Sequence, residues 1–209
     1  MTAGFYGWEG RTFTLYNKTV IKAVIFDCFG VLTSDGWKQL REEHFADNPE
    51  KMQQALDLDK AVNSGTISMR RFISEVGELV GLTEVEVERR FGGNIPDRRL
   101  FDFIKHDLKS RCKIGMLSNA GGNWLNDLFE PWQVQLLDSA ILSYQVGLVK
   151  PEAQIYELAA DKLGAYPSEC IFVDDIERYC TAASEVGMKT IHHTDTAKTI
   201  EQIKEIIRA

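Results

Sequence analysis

The stretch "VIFDCFGVL", residues 24–32, decides how the rest of the chain reads. An apolar run ends at a single carboxylate, Asp27, and the chain then turns through Gly30. An ionised carboxylate at the end of a buried strand is costly unless something pairs with it or uses it. Asp27 therefore marks the place where chemistry is to be sought, and Phe29, two residues on, needs its own explanation.

Outward from this stretch, five segments read as strands: 20–27, 112–118, 136–142, 170–174 and 189–193. They are short, rich in Val, Ile and Phe, and several are nearly continuous in apolar character. That is the signature of strands buried on both faces, as in a parallel sheet. Helical stretches alternate with them. Residues 152–163 follow Pro151, placed as the first helical residue, and stop at Gly164. Residues 176–186 lead to Gly187, and 195–208 are amphipathic. The alternation predicts an α/β fold with a doubly wound parallel sheet.

One region breaks the alternation. Between 35 and 96 four helical periods follow one another: 37–45, 50–62, 67–80 and 84–91, the last opened by a Thr83-x-x-Glu86 capping box. An insert of this size cannot all pack on the sheet, so it reads as a small all-helical domain. The expected organisation is an N-terminal extension over 1–18, a core over 19–34 and 97–209, and the helical unit over 35–96.

The totals bound the function. The 209 residues suffice for one full core with a small satellite. A formal charge of −7 argues against a surface built to neutralise nucleic-acid phosphates. No apolar run approaches the roughly 20 residues of a membrane span, and the N-terminus lacks the basic start and apolar stretch of a secretory signal. These features predict a soluble, cytoplasmic protein with no nucleic-acid or membrane partner; nothing in the sequence assigns an oligomeric state. Cys28, Cys112, Cys170 and Cys180 show no CxxC pairing, and three lie in or beside strand-like runs, where free cysteines are core residues. Cys28 is a poor nucleophile candidate because neighbours on a strand point to opposite faces.

Four strand or loop ends carry polar residues: Asp27, Ser118-Asn119, Lys150-Pro151 and Asp174-Asp175. In an open parallel sheet, ligands bind beyond the carboxyl ends of the strands, so all four would face one crevice. Taken singly, each has a purely structural reading. Ser118-Asn119 would be a helix cap, Lys150 a solvated lysine, and Asp174-Asp175 an Asx turn. Three carboxylates and one lysine in a confined pocket leave about −2 of charge. A hard divalent cation with oxygen ligands relieves that conflict.

The ordered motifs FDCFGVL, LSNAGG, VKPEAQIY and FVDDIE, with a helical insert after the first, resemble those of the haloacid dehalogenase-like hydrolase superfamily, in its branch with an early helical cap. The resemblance runs from about residue 20 to 193 and implies a Rossmann-like core. It implies Asp27 as nucleophile, Ser118, Asn119 and Lys150 as substrate-binding groups, and Lys150 and Ser118 as aids to catalysis. It also implies Mg²⁺ held by Asp27, the backbone carbonyl of Phe29 and the pair Asp174-Asp175, and a small phosphorylated metabolite as substrate. Two positions depart from the phosphatase pattern. Phe29 stands where those members carry a second Asp, a proton-transfer group worth about 10²–10⁴ in rate. Tyr179 stands where relatives often have Asn or Asp.

Three functional readings follow: a Mg²⁺-dependent phosphatase with an aspartyl-phosphate intermediate, a 2-haloacid dehalogenase, and a non-catalytic binding protein. The aromatic Phe29 suits the second and the intact acidic pair suits the first. Trp37, Arg41, His44, Arg70, Asn123 and Trp124 are the candidate specificity residues.

Overall fold

The computed structural model describes residues 20–208, so the expected extension over 1–18 lies outside the described residues. In chain order the main elements are β1 (Ala23–Phe26), α1 (Gly36–Phe45), α2 (Pro49–Asn63), α3 (Met69–Val80), α4 (Glu84–Gly92) and α5 (Arg98–Phe103). After α5 a π-helical turn, Ile104–Leu108, leads into β2 (Lys113–Ser118) and β3 (Ser139–Leu142). Then follow α6 (Ala153–Lys162), β4 (Cys170–Asp174), α7 (Glu177–Glu185), β5 (Lys189–His192) and α8 (Thr196–Arg208). Among the described residues, no helix is long and apolar enough to cross a membrane.

The five strands form one all-parallel sheet in the order β3-β2-β1-β4-β5. This is the α/β doubly wound arrangement that the alternation predicts, and the Rossmann-like core that the resemblance implies. The period-two geometry of strands divides the core into two layers. Val24, Phe26, Ile114, Met116, Ile171 and Val173 point to one face, where they meet Leu100, Ile104 and Ile203. Ala23, Ile25, Cys170 and Phe172 point to the other, against Ile155, Tyr156 and Ala183. Full burial of one such side chain contributes about 1.5–3 kcal/mol. All four cysteines are free and buried, as expected of core residues.

The structure departs from the expected elements at four places, the first being the strand expected over 20–27, which spans only Ala23–Phe26. The helix α6 starts at Ala153, so Pro151 precedes it rather than forming its first residue, and the Lys150-Pro151 peptide is cis. The strand expected over 136–142 begins only at Ser139. Just before it, the Asp138 carboxylate accepts the Ile114 N–H at 2.8 Å, where a strand would use its own carbonyl. The segment after Pro96, left unassigned by periodicity, forms α5 and its π-turn, capped by the Asp97 carboxylate on the N–H groups of Arg99 and Leu100.

Helices α1–α4 share an apolar cluster of their own, built on Leu40, Phe45, Ala55, Val62, Phe72, Val76 and Val87. Three side-chain caps start α1, α2 and α3: Asp35, Asn48 and Ser68. The Thr83/Glu86 capping box opens α4 as the sequence predicts. The chain enters and leaves this unit through two paired segments. Ser34 and Ile95 exchange hydrogen bonds, the Asp97 N–H reaches the Leu32 carbonyl at 2.8 Å, and the Asn94 side chain accepts the Gly36 N–H at 2.7 Å. A second tie comes from Ser143, whose hydroxyl donates to the Asn63 carbonyl at 2.7 Å and accepts the Ala120 N–H at 2.9 Å.

Asp138 gives the sheet a testable anchor. Burial raises its carboxyl, but hydrogen bonds from Lys109, the Ile114 N–H and Lys113 outweigh that and hold it below the usual carboxylate range. A depressed folded value means stability that is present above the ordinary value near 4 and lost as pH falls through the folded one. Replacing Asp138 with Asn should cost about 1–2 kcal/mol at pH 7. The difference from wild type should shrink steadily below pH 4, as read by urea unfolding across pH 2–7.

Candidate active site

The register fixes the floor of the site. Phe26 pairs with Val173 of β4 and with Met116 of β2, so Asp27 and Asp174 leave the sheet side by side and Ser118 ends the next strand. The Asp27 N–H donates to the Val173 carbonyl at 2.8 Å, holding the carboxylate at the rim. Asp27, Ser118, Lys150 and Asp174 are all buried. Residues far apart in the chain thus converge at the carboxyl ends of three adjacent strands, where such sheets bind ligands.

Lys150 is the centre of this cluster. Its ammonium lies 2.8 Å from Asp27 Oδ1 and 2.6 Å from Asp174 Oδ2. It also sits 4.9 Å from the ring centroid of Tyr179 and 5.6 Å from that of Phe172. Burial alone would lower the lysine, but the carboxylates of Asp174 and Asp27 outweigh it and raise Lys150 above its ordinary value. Lys150 is therefore charged. Burial raises Asp27, Lys150 pulls against it, and Asp174 adds to the rise. Two buried carboxylates compete for one ammonium.

Asp174 divides its oxygens. Oδ2 faces Lys150, while Oδ1 accepts the Ile176 N–H at 2.8 Å, so the Asx turn and the ion pair coexist. Asp175 turns the other way, and its Oδ2 lies 3.2 Å from the ammonium of Lys38 on α1. That contact corrects the expected charge. Three carboxylates face two ammonium groups, so the formal residue is −1 rather than −2. Oxygens from Asp27, Asp174 and Asp175 lie within 4.8 Å of one another. Burial, with a lesser contribution from the neighbouring carboxylates, keeps the Asp27 and Asp174 carboxyls raised beside the ammonium, and an all-oxygen donor set of this size suits a hard divalent cation.

Gly30 makes room for this arrangement. Its φ of 85° belongs to the left-handed region, and a Cβ there would lie 2.6 Å from the Asp175 carboxyl carbon. No other residue fits without moving Asp175. Asn119 faces the cavity, yet its amide is engaged: Oδ1 accepts the Lys150 N–H at 2.8 Å and Nδ2 donates to the Lys150 carbonyl at 3.1 Å. Nδ2 also reaches the Tyr179 hydroxyl at 3.4 Å. Tyr179 thus lies beneath Lys150 as part of the lysine's surroundings.

Between this floor and helices α1–α4 lies a cavity of about 380 Å³. Of the candidate specificity residues, Trp37, Arg41 and Trp124 line it, whereas His44, Arg70 and Asn123 do not. The last of these instead accepts the Leu125 N–H. Phe29 also lines the cavity, with its ring 4.7 Å from that of Trp124. Sequence reasoning overlooked four carboxylates in the wall: Asp35 and Asp59, which are partly buried, and Glu88 and Asp127, which are exposed to solvent. Asp59 had a readable signal: it shares a stripe with Ala55 and Val62, at the spacing of a core-facing helix position.

Comparison with known proteins fits this geometry. Residues 21–187 match the family model of the haloacid dehalogenase-like hydrolases. The chain belongs to that family and is a hydrolase. It is 26% identical to sesquiterpene phosphatase astK of Aspergillus oryzae over 90% of this chain and 98% of that protein. A stretch of 92 residues is 36% identical to rat bifunctional epoxide hydrolase 2, covering 40% of this chain but only 17% of that protein's length. Among solved structures, a HAD family enzyme of Bacteroides thetaiotaomicron in complex with magnesium and inorganic phosphate superposes with a TM-score of 0.65 at 23% identity, covering 83% of this chain and 94% of that one. An L-2-haloacid dehalogenase superposes equally well, with a TM-score of 0.64 at 18% identity over 88% and 99%. At these identities the structural likeness establishes the fold.

Two stability measurements test the electrostatics. Lys150→Met leaves Asp27 and Asp174 buried without their cation and should cost about 3–5 kcal/mol. Adding Asp174→Asn, which keeps an acceptor for the Ile176 N–H, should recover part of that loss in urea titrations.

Asp59 carries the opposite sign from Asp138. Burial pushes its carboxyl up to about 6, against the pull of Arg41 and a hydrogen bond with Asn63. A raised folded value means that stability falls as pH rises from about 4 to 6. Asp59→Asn should therefore stabilise the protein by about 1–2 kcal/mol above pH 6 and change little below pH 4.

Proposed function

We propose that this hydrolase is a Mg²⁺-dependent phosphomonoesterase that works through an aspartyl-phosphate on Asp27. One observation carries the reading: a buried Asp27 gripped by Lys150, inside a set of three convergent carboxylates at the floor of a closed-over cavity. A dehalogenase does without metal, so a set of three convergent carboxylates suited to a divalent cation favours the phosphatase reading. The similarity to a sesquiterpene phosphatase over nearly the whole chain favours the same choice. So does the magnesium and phosphate complex of a protein with this fold. The cytoplasmic setting and small-molecule substrate belong to the same proposal, as does the use of α1–α4 as a cap over the crevice.

Asp27, Asp174, Asp175 and the main-chain carbonyl of Phe29 would hold the metal. When bound, Mg²⁺ would supply positive charge against the phosphate oxygens and the carboxylates. The remaining roles fall to the chain. Asp27 attacks phosphorus, its carboxylate oxygen bonding to phosphorus as the bond to the alcohol oxygen breaks. Lys150 holds Asp27 in place and balances charge on the transferred group. Ser118, at the end of β2, donates its hydroxyl to that group. Asn119 acts as a positioning residue, through its two hydrogen bonds to the Lys150 backbone. The departing alkoxide takes its proton from water, because Phe29 has none to give. A second water then cleaves the acyl phosphate, releasing phosphate and restoring Asp27.

Two measurements test this. Phosphate release should require Mg²⁺ and fall about 10³-fold or more in Asp27→Asn. Without an acid at position 29, kcat/KM should also drop steeply as the leaving alcohol becomes more basic, with p-nitrophenyl phosphate far ahead of simple alkyl phosphates. Metal-independent release of halide from 2-haloacids, with no phosphatase activity, would instead establish the dehalogenase reading that the aromatic Phe29 favours.

A further inference from the structure

The cavity divides sharply by chemistry. Its floor holds the charged and polar groups already described, whereas most of its wall area is apolar. Trp37, Met69, Phe72 and Phe91 face it from the helical unit, and Phe29 and Trp124 from the core. The helical-unit aromatics pack into one surface: Trp37 lies 5.2 Å from Phe72 and 5.9 Å from Phe91, ring centre to ring centre. The Phe29–Trp124 pair carries the apolar surface down to within two residues of Asp27.

Most polar groups in the wall are already committed. The exception is the Arg41–Trp37 pair, where the guanidinium stacks 5.1 Å from the ring and Arg41 Nε and Trp37 Nε1 are buried with no hydrogen-bond partner among the described residues. Asn119 spends both amide atoms on the Lys150 backbone. Asn94 accepts the Gly36 N–H and donates to the Phe91 carbonyl, and Asp35 accepts the Lys38 N–H. Glu88, Asp127 and Arg178 are exposed to solvent. A site that selects a polyhydroxylated ligand needs donors and acceptors waiting for its hydroxyls, because each buried hydroxyl left unpaired is penalised. A hydrocarbon needs only surface to cover.

We propose that the group esterified to the phosphate is a bulky hydrocarbon, the residue of an apolar aliphatic or aromatic alcohol, and not a sugar or polyol. This inference rests on the phosphomonoesterase reading for the head group but on the upper cavity for the body. Phe29 then has a direct role, as the part of the wall that touches the first carbons of the leaving group.

Binding and turnover separate the two claims. Alkyl phosphonates cannot be hydrolysed at their carbon–phosphorus bond, so calorimetry on the full chain with Mg²⁺ reads recognition alone. From butyl to octyl phosphonate, below their aggregation concentrations, Kd should fall about threefold per added methylene until the cavity is filled. A polyhydroxylated phosphonate of similar size should bind at least about tenfold more weakly than the hexyl compound. Met69→Gln, at the partly exposed start of α3, should flatten the series to less than about twofold per methylene, and Phe91→Ser should do the same. The wild-type series stands even where a variant folds poorly. A flat wild-type series, tighter binding of the polyhydroxylated compound, or no binding of any phosphonate would overturn the inference. A rising series without hydrolysis of the matching alkyl phosphates would keep the apolar pocket and refute the phosphatase reading. Hydrolysis with a flat series would do the reverse.

Discussion

The ammonium of Lys150, wedged between the carboxylates of Asp27 and Asp174 at 2.8 and 2.6 Å, is the contact on which the rest of the molecule converges. Neither carboxylate could sit so deep at the rim without that charge, because desolvation would neutralise or expel it. The lysine in turn is held by its surroundings: Asn119 fixes its backbone, and the rings of Tyr179 and Phe172 flank its charge. Asp27 follows β1, Asn119 follows β2, Phe172 and Asp174 belong to β4, and Tyr179 lies on α7. Their meeting depends on the order β3-β2-β1-β4-β5, which sets β1 between β2 and β4.

The helical unit enters the same balance from above. Lys38 reaches from α1 to Asp175, so the charge of the floor is not a property of the core alone. The entry and exit segments are hydrogen-bonded to each other, and Ser143 joins the Asn63 carbonyl to the loop after β2. At Gly121, in that loop, a Cβ would come within 2.3 Å of Val62 on α2. The two parts approach so closely that only a glycine fits between them. The cavity is consequently a joint product of both, with Lys38 completing the charged floor and apolar wall residues contributed from each side.

Much of this was legible from local pattern. Strands buried on both faces announce themselves as short apolar runs, and a polar residue at the end of each is conspicuous there. Asp27, Ser118, Asp174 and Asp175 could be named for that reason and Lys150 for its place before a helix start, and so could helices whose caps lie next to them in sequence, such as Thr83 with Glu86. What a pattern of neighbours cannot express is which side chains meet across the gap between two parts. Lys38 on α1 and its cap Asp35 escape such a reading because charged residues there are ordinarily solvated, and nothing local says that this end of the helix is turned toward a carboxylate cluster. His44 and Arg70 were singled out by residue type, yet their positions on the helices turn them away from the cavity.

The sequence by itself determined the elements, their alternation and the polar strand ends, because backbone periodicity and burial act over a few residues at a time. Tertiary structure alone decided that Asn119 serves the lysine, that Tyr179 lies beneath it, and that Gly30 leaves space for Asp175. It also decided that the wall above the charges is apolar. These are contacts between residues distant in the chain, set by distances of a few ångströms that only the packed sheet and the helices closing over it bring into being.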